Sequence, residues 1–241
     1  RLYRVAHRSG AQPEAVTLPV VGSVSLGAFE AQQDGGLLEL ESWNRARQIY
    51  ALGADGRLAN TGLQPAGPFD APADVVATEV LVKSHDGAMV PMSIIHRAGT
   101  PLDGRNPTIL YGYASYGITE EPFFSLSRLA WMERGGVFAV ANPRGSSVFG
   151  KQWHTDGQKA RKPNTWRDFI ACAEHLVKQG WTQPSRLAIW GGSAGGILVG
   201  MAMVERPDLF GVVIPEVGSL DLVRAETTSN GVPNIPEFGT R

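Results

Sequence analysis

Trp190-Gly191-Gly192-Ser193-Ala194-Gly195-Gly196 is the stretch on which the fold turns. It contains Gly191-x-Ser193-x-Gly195, preceded by the apolar run Leu187-Ala188-Ile189-Trp190 and followed by the helix-forming run Ala194–Glu205, which halts before Pro207. A serine between a strand and a helix in this setting reads as a nucleophile elbow. Side chains flanking the serine would collide in so sharp a turn, and glycines at 191, 192, 195 and 196 remove those collisions and permit positive φ. The helix that follows points its N-terminus at the hydroxyl, so its free N–H groups favour developing negative charge. A dinucleotide loop would need G-x-G-x-x-G. Ser193 and Ala194 occupy both places where its second glycine could fall, and that reading fails.

Outward from the elbow the chain alternates strands and helices back to about residue 75. Val137–Ala141 is fully apolar, as in a parallel strand covered on both faces. In Trp166–Gln179 the residues Phe169, Ile170, Ala173, Leu176 and Val177 recur at three and four, which predicts a helix stopped by Gly180. A second helix is predicted over Phe123–Met132, ended by Arg134-Gly135-Gly136. Thr108–Tyr113 is a short strand entering a Gly-containing loop, and Val212–Ile214 is a last strand. Val75–Val82 and Val90–Ile95 read as strands joined by the turn Ser84-His85-Asp86-Gly87. Such alternation implies an α/β sheet. Residues 1–73 differ: short apolar runs between Gly, Asp and Pro breakers read as antiparallel strands. Tyr50–Leu58 looks like two strands around an Asp-Gly turn, and the Pro-rich Gln64–Pro72 is the best linker.

Composition narrows the class. The 241 residues are 43% hydrophobic and 19% charged, which is globular rather than disordered. With 22 basic and 23 acidic side chains the formal charge is −1, and no Lys/Arg run offers a nucleic acid an electrostatic footprint. Cys172 stands alone, which excludes an internal disulfide and a thiolate metal site. No stretch approaches about 18 consecutive apolar residues, so no membrane span is expected. The first residues have neither a signal-type apolar segment nor an initiator Met, which favours the cytoplasm unless a leader has been lost to the periplasm. No oligomeric state follows from these features.

Several further motifs, in order, surround the elbow: Ser84-His85-Asp86-Gly87, Leu102-Asp103-Gly104, Leu110-Tyr111-Gly112-Tyr113, Ala139-Val140-Ala141-Asn142-Pro143-Arg144-Gly145, and Arg206-Pro207-Asp208-Leu209-Phe210-Gly211. From about Ala73 to Gly239 the chain thereby resembles the prolyl oligopeptidase family of serine peptidases. The resemblance implies an α/β-hydrolase catalytic domain over 74–241, cut after the elbow and one further strand. It implies that residues 1–73 are the C-terminal part of a β-propeller. Carried over by position, Ser193 is the nucleophile, and the Ala194 N–H with the Tyr113 hydroxyl forms the oxyanion hole. Tyr116 walls the primary specificity pocket, and Asn234 stands near the place of the tryptophan that stacks on a substrate proline. The expected partner is a short peptide, cleaved through an acyl-enzyme with the carboxyl side of proline as one position, and no cofactor or metal is expected.

Two departures qualify that expectation. Where the family has two glycines and an aromatic after the oxyanion tyrosine, this chain has Ala114-Ser115-Tyr116. No tryptophan follows Trp190, so strict proline specificity is not expected. In α/β-hydrolases the triad runs Ser, then Asp or Glu, then His. His7, His85, His96, His154 and His175 all precede Ser193, so neither the acid nor the histidine is assigned. A serine without a base is a poor nucleophile, and the chain is expected to be an inactive piece of a longer enzyme. His154, in a Trp-His pair, reads as structural, and His175 as packed or solvated. Cys172 reads as a small core residue, and Arg144 as a loop residue. Asp221 is a remote candidate for a displaced acid. The alternatives are an esterase of the same fold and a catalytically dead binding or scaffolding protein.

Overall fold

The β-alternation expected in the first part of the chain is realised as antiparallel sheets. The structure, a computed structural model, describes residues 2–30, 32–229 and 231–240. It divides into two units, Arg1–Val76 with Glu121–Ser127, and Ala77–Glu120 with Arg128–Arg241. In the first unit β1 (Leu2–Arg4) pairs with β2 (Glu14–Val16). A separate four-stranded antiparallel meander runs β3 (Ser23–Leu26), β4 (Gly36–Ser42), β5 (Arg45–Leu52) and β6 (Leu58–Asn60). Leu38, Leu40 and Ser42 are buried along one face of β4 while their neighbours are partly exposed, the period of two that a strand imposes. The Asp-Gly turn joins β5 to β6 as expected: Asp55 Oδ1 accepts from the Arg57 N–H at 2.9 Å, and Gly56 takes φ 79°.

The helix expected over Phe123–Met132 begins later, as α1 (Leu126–Glu133). Residues 121–127 belong to the first unit. Phe123 lies against Trp43 with ring centroids 5.9 Å apart, and the Phe124 N–H donates to Glu41 Oε2 at 3.3 Å. Tertiary contacts thus take up two apolar residues that the helical spacing had claimed.

In the second unit one six-stranded sheet has the order β12-β11-β9-β10-β8-β7. Its strands are β7 (Val75–Lys83), β8 (Met89–Arg97), β9 (Thr108–Tyr111), β10 (Val137–Ala141), β11 (Leu187–Gly192) and β12 (Val212–Glu216). All five residues of β10 are buried. This strand pairs in parallel with β9 but antiparallel with β8, so the sheet is mixed, not parallel throughout. An unbroken apolar run reports that both faces are covered; it does not report the direction of each neighbour. Two short helices, α2 (Lys151–Thr155) and later α5 (Ile235–Phe238), lie outside the expected set. The helix α3 (Pro163–Lys178) starts three residues before the expected Trp166, because Pro163 fits a first turn whose N–H needs no partner. Phe169, Ala173 and Leu176 of α3 join Leu110, Ile189 and Leu198 in one core. Leu198 belongs to α4 (Gly195–Glu205), which follows the elbow.

Beneath this sheet lies a buried ionic cluster. Asp168 of α3 is fully buried, and its carboxylate accepts from Arg144 Nε (2.9 Å), Arg144 Nη2 (2.7 Å), the Arg144 N–H (3.0 Å) and Ser84 Oγ (2.5 Å). Arg144 also forks onto Asp86 at 2.5 and 3.1 Å. One guanidinium therefore ties the β7–β8 turn and the loop after β10 to α3. The hydrogen bond from Arg144 holds the Asp86 carboxyl down at about 2. That pull stabilises the fold at pH above the ordinary carboxylate value of about 3.9 and is lost as pH falls through about 2.

The elbow is set by close packing. A Cβ on Gly191 would lie 2.3 Å from Gly195 O, one on Gly195 2.9 Å from Gly112 O, and one on Gly196 2.4 Å from Gly218 Cα. Gly192 differs, with nothing nearer than Glu216 O at 3.9 Å. None of these four glycines has positive φ; the residue that does is Ser193. Crowding, not backbone freedom, is the reason for three of them, and Gly192 is not required.

Two outcomes are expected. Asp168→Asn should lower stability by about 3–5 kcal/mol, the cost of breaking a buried pair, read as a lower urea midpoint at unchanged m; Asp86→Asn should flatten the loss of stability below about pH 4. Gly196→Ala should cost about 1–3 kcal/mol from overpacking against backbone, whereas Gly192→Ala should leave the melting temperature nearly unchanged.

Candidate active site

Ser193 sits exposed between β11 and α4 with φ 51°. A non-glycine residue held there costs about 1–3 kcal/mol and persists only where its surroundings over-determine it. Here they do. The Ser193 N–H donates to Glu216 O at 2.9 Å, and its carbonyl accepts from the N–H groups of Gly196 (2.9 Å) and Ser219 (3.0 Å). The backbone is thus fixed on both sides while the hydroxyl stays open. Among the described residues the Ala194 N–H, at the N-terminus of α4, has no protein acceptor.

Tyr113 reaches the same spot by sheet register. Gly112 N–H donates to Trp190 O at 3.2 Å, which carries the β9–β11 pairing one residue past β9. The next residue is Tyr113, which packs against Gly195 of the elbow and whose hydroxyl comes near enough to that of Ser193 for the serine to lower the phenol's pKa. Burial raises the Tyr113 phenol against that pull, so it is a neutral donor at ordinary pH.

The loop beyond it is tightly wound, with positive φ at Ala114 (57°), Tyr116 (58°) and Gly117 (70°). Tyr116 is half-exposed, and its hydroxyl donates to Asn234 Oδ1 at 2.8 Å. Its ring meets Phe238 edge-on at 5.6 Å and lies 6.5 Å from the Tyr113 ring. The structure therefore brings Ser193, Ala194 and Tyr113 together, and links Tyr116 to Asn234 directly.

The sequence reading missed what lies behind this loop. Lys162 and Glu237 are buried and paired at 3.1 Å. Glu237 also accepts from Gln158 Nε2 (2.9 Å) and bonds His154 Nε2 (2.9 Å). Burial opposes its charge, yet the bonds from Gln158 and His154 and the charge of Lys162 hold its carboxyl below the usual range. Polar residues 75 positions apart carry no periodic signal of their meeting. The Pro at the start of α3 was the nearest clue, since it places Lys162 at a buried helix entrance.

The histidines lie elsewhere. His96 bonds Thr78 and packs on Trp181, His85 bonds Ser84, and His154 belongs to Glu237. Among the described residues none is hydrogen-bonded to Ser193. Asp221 is exposed and paired with Arg224. His85, Asp86 and Asp168 offer donor atoms within 4.8 Å of one another, but the Arg144 cation already binds both carboxylates. No helix among the described residues is long and apolar enough to cross a membrane.

Residues 122–238 match the prolyl oligopeptidase family. A prolyl endopeptidase of Elizabethkingia meningoseptica is 43% identical over 233 residues, which is 97% of this chain and 33% of that protein. The solved post-proline cleaving enzyme from Rickettsia typhi superposes with a TM-score of 0.90 at 30% identity, covering 99% of this chain and 34% of that one. A solved prolyl endopeptidase gives 0.86 at 41% identity, covering 95% and 34%. The chain spans about a third of the length of these relatives. By sequence and by fold alike the chain belongs to the prolyl oligopeptidase family.

Proposed function

We propose that this chain carries the nucleophile and oxyanion hole of a serine peptidase that hydrolyses short peptides through an acyl-enzyme on Ser193. The observation that carries the reading is the meeting of Ser193, the Ala194 N–H and the Tyr113 hydroxyl at one exposed point. In the reaction Ser193 Oγ attacks the scissile carbonyl carbon and its proton passes to a base. The carbonyl π pair moves to oxygen, where the neutral phenol and the backbone N–H meet the new charge. Collapse of that intermediate expels the amine, which takes the proton from the base, and leaves the acyl-serine for water to hydrolyse. No histidine of these 241 residues bonds Ser193, so the base is assigned to residues outside them.

Tyr116, Asn234 and the edge of Phe238 are proposed to wall the pocket for the residue before the cleaved bond. Relatives named for prolyl cleavage support proline there. Asn234 offers an amide rather than a ring, which favours a preference extending beyond proline. In the same reading residues 1–73 are the last part of a β-propeller and 74–241 belong to the α/β-hydrolase domain. The four-stranded antiparallel meander, the unit of a propeller blade, supports this division.

Two experiments test the reading. Tyr113→Phe in the full-length protein should lower kcat by about 100- to 1000-fold, the usual cost of one oxyanion donor, with the loss mainly in kcat rather than KM. An unchanged kcat removes Tyr113 from the hole. The 241-residue chain by itself should hydrolyse peptides no faster than its Ser193→Ala variant. Serine-dependent turnover on the order of 1 per second would mean that a base lies within it.

A further inference from the structure

One buried ion pair grips two consecutive residues of the loop that follows Tyr113. Lys162 Nζ donates to Ala114 O at 3.0 Å and to Ser115 Oγ at 2.6 Å, and it pairs with Glu237 Oε1 at 3.1 Å. All three ammonium protons are thereby used. Ala114 and Ser115 are thus held in turn by carbonyl and hydroxyl, and Tyr116 follows directly.

Such a pair is a poor device for stability alone. Removing two ions from water costs several kcal/mol each, and apolar replacements of similar shape are often as stable. Its placement explains it better. Ala114 and Tyr116 are non-glycine residues in the left-handed region, and conformations of that kind relax unless neighbours over-determine them. The side chain of Ser115, between them, is fully buried. Tyr113 is joined directly to this segment, and its hydroxyl must stay beside Ser193.

We propose that Lys162 and Glu237 are positioning residues, which clamp residues 114–116 in their strained form and so keep the Tyr113 hydroxyl aimed at the oxyanion site. Without the pair, the Ala114 carbonyl and the Ser115 hydroxyl lose their partner and the loop relaxes. The phenol then leaves the place where charge develops on the substrate. Tyr116, proposed above to wall the pocket, shifts with the same loop, so substrate binding weakens as well. This inference rests on the peptidase reading for its catalytic consequence but not for its geometric one.

Lys162→Met alone strands a buried carboxylate and endangers the fold, so the chief variant is Lys162→Met/Glu237→Gln, which neutralises both partners. In the full-length protein this variant should lose about tenfold or more in kcat, with KM raised as well because Tyr116 moves with the loop. Added to Tyr113→Phe it should cause almost no further loss in kcat, because both act on it through one hydroxyl. A crystal structure of the variant should have the Tyr113 hydroxyl displaced from Ser193. Full activity, or kcat losses that multiply with those of Tyr113→Phe, would overturn the proposal. If Ser193→Ala leaves turnover intact, the peptidase reading itself falls and the crystal structure decides alone: a Tyr113 hydroxyl still beside Ser193 overturns the clamp, and a displaced one supports it.

Discussion

Everything at the candidate site depends on how closely three backbone segments approach. Gly112 at the end of β9, Gly191 in β11 and Gly195 at the start of α4 touch without a side chain between them, and Gly196 lies against Gly218 in the same way. Only this crowding lets β11 turn into α4 over two residues, Ser193 and Ala194. The turn forces Ser193 into the left-handed region, lifts its hydroxyl out of the surface and leaves the first N–H groups of α4 pointing at it. The same contact fixes the register that delivers Tyr113. Any side chain inserted here would separate serine, phenol and helix end together.

Around that contact the molecule places its strain and its buried charge side by side. Ser193, Ala114 and Tyr116 all hold positive φ without being glycine. Hydrogen bonds hold both segments: Ser193 to Glu216, Gly196 and Ser219, and the loop to Lys162. Strain near a reacting centre that is fixed in advance needs no rearrangement as charge develops, which is how preorganised donors lower a barrier. The other ionic cluster is Arg144 with Asp86 and Asp168. It ties turns to α3 without touching the serine.

Much of this was legible in the amino-acid order because it is local. The elbow is written in seven consecutive residues, α3 in a repeat of three and four, and β10 in five apolar residues. What escaped the reading was long-range. Phe123 and Phe124 look helical until Trp43 and Glu41 claim them. The mixed direction of the sheet is invisible in β10, whose burial is the same for either neighbour. Tyr116 and Asn234 were each assigned to a pocket wall, but their mutual bond spans 118 positions. Lys162 and Glu237 carry no pattern in the chain, since ions at separated positions acquire meaning only when the fold makes them neighbours. The glycines taught a finer lesson: spacing identified where room was needed, but not that Gly192 faces open space while the serine itself takes the unusual φ.

The most direct measurement is a crystal structure of the full-length protein with a substrate-like peptide aldehyde bound. The account expects the aldehyde carbon to be bonded to Ser193 Oγ. Its oxygen should lie about 2.7–3.1 Å from both the Tyr113 hydroxyl and the Ala194 N–H, the range an oxyanion hole requires. An adduct on another residue, or an oxygen turned away from both donors, would contradict it.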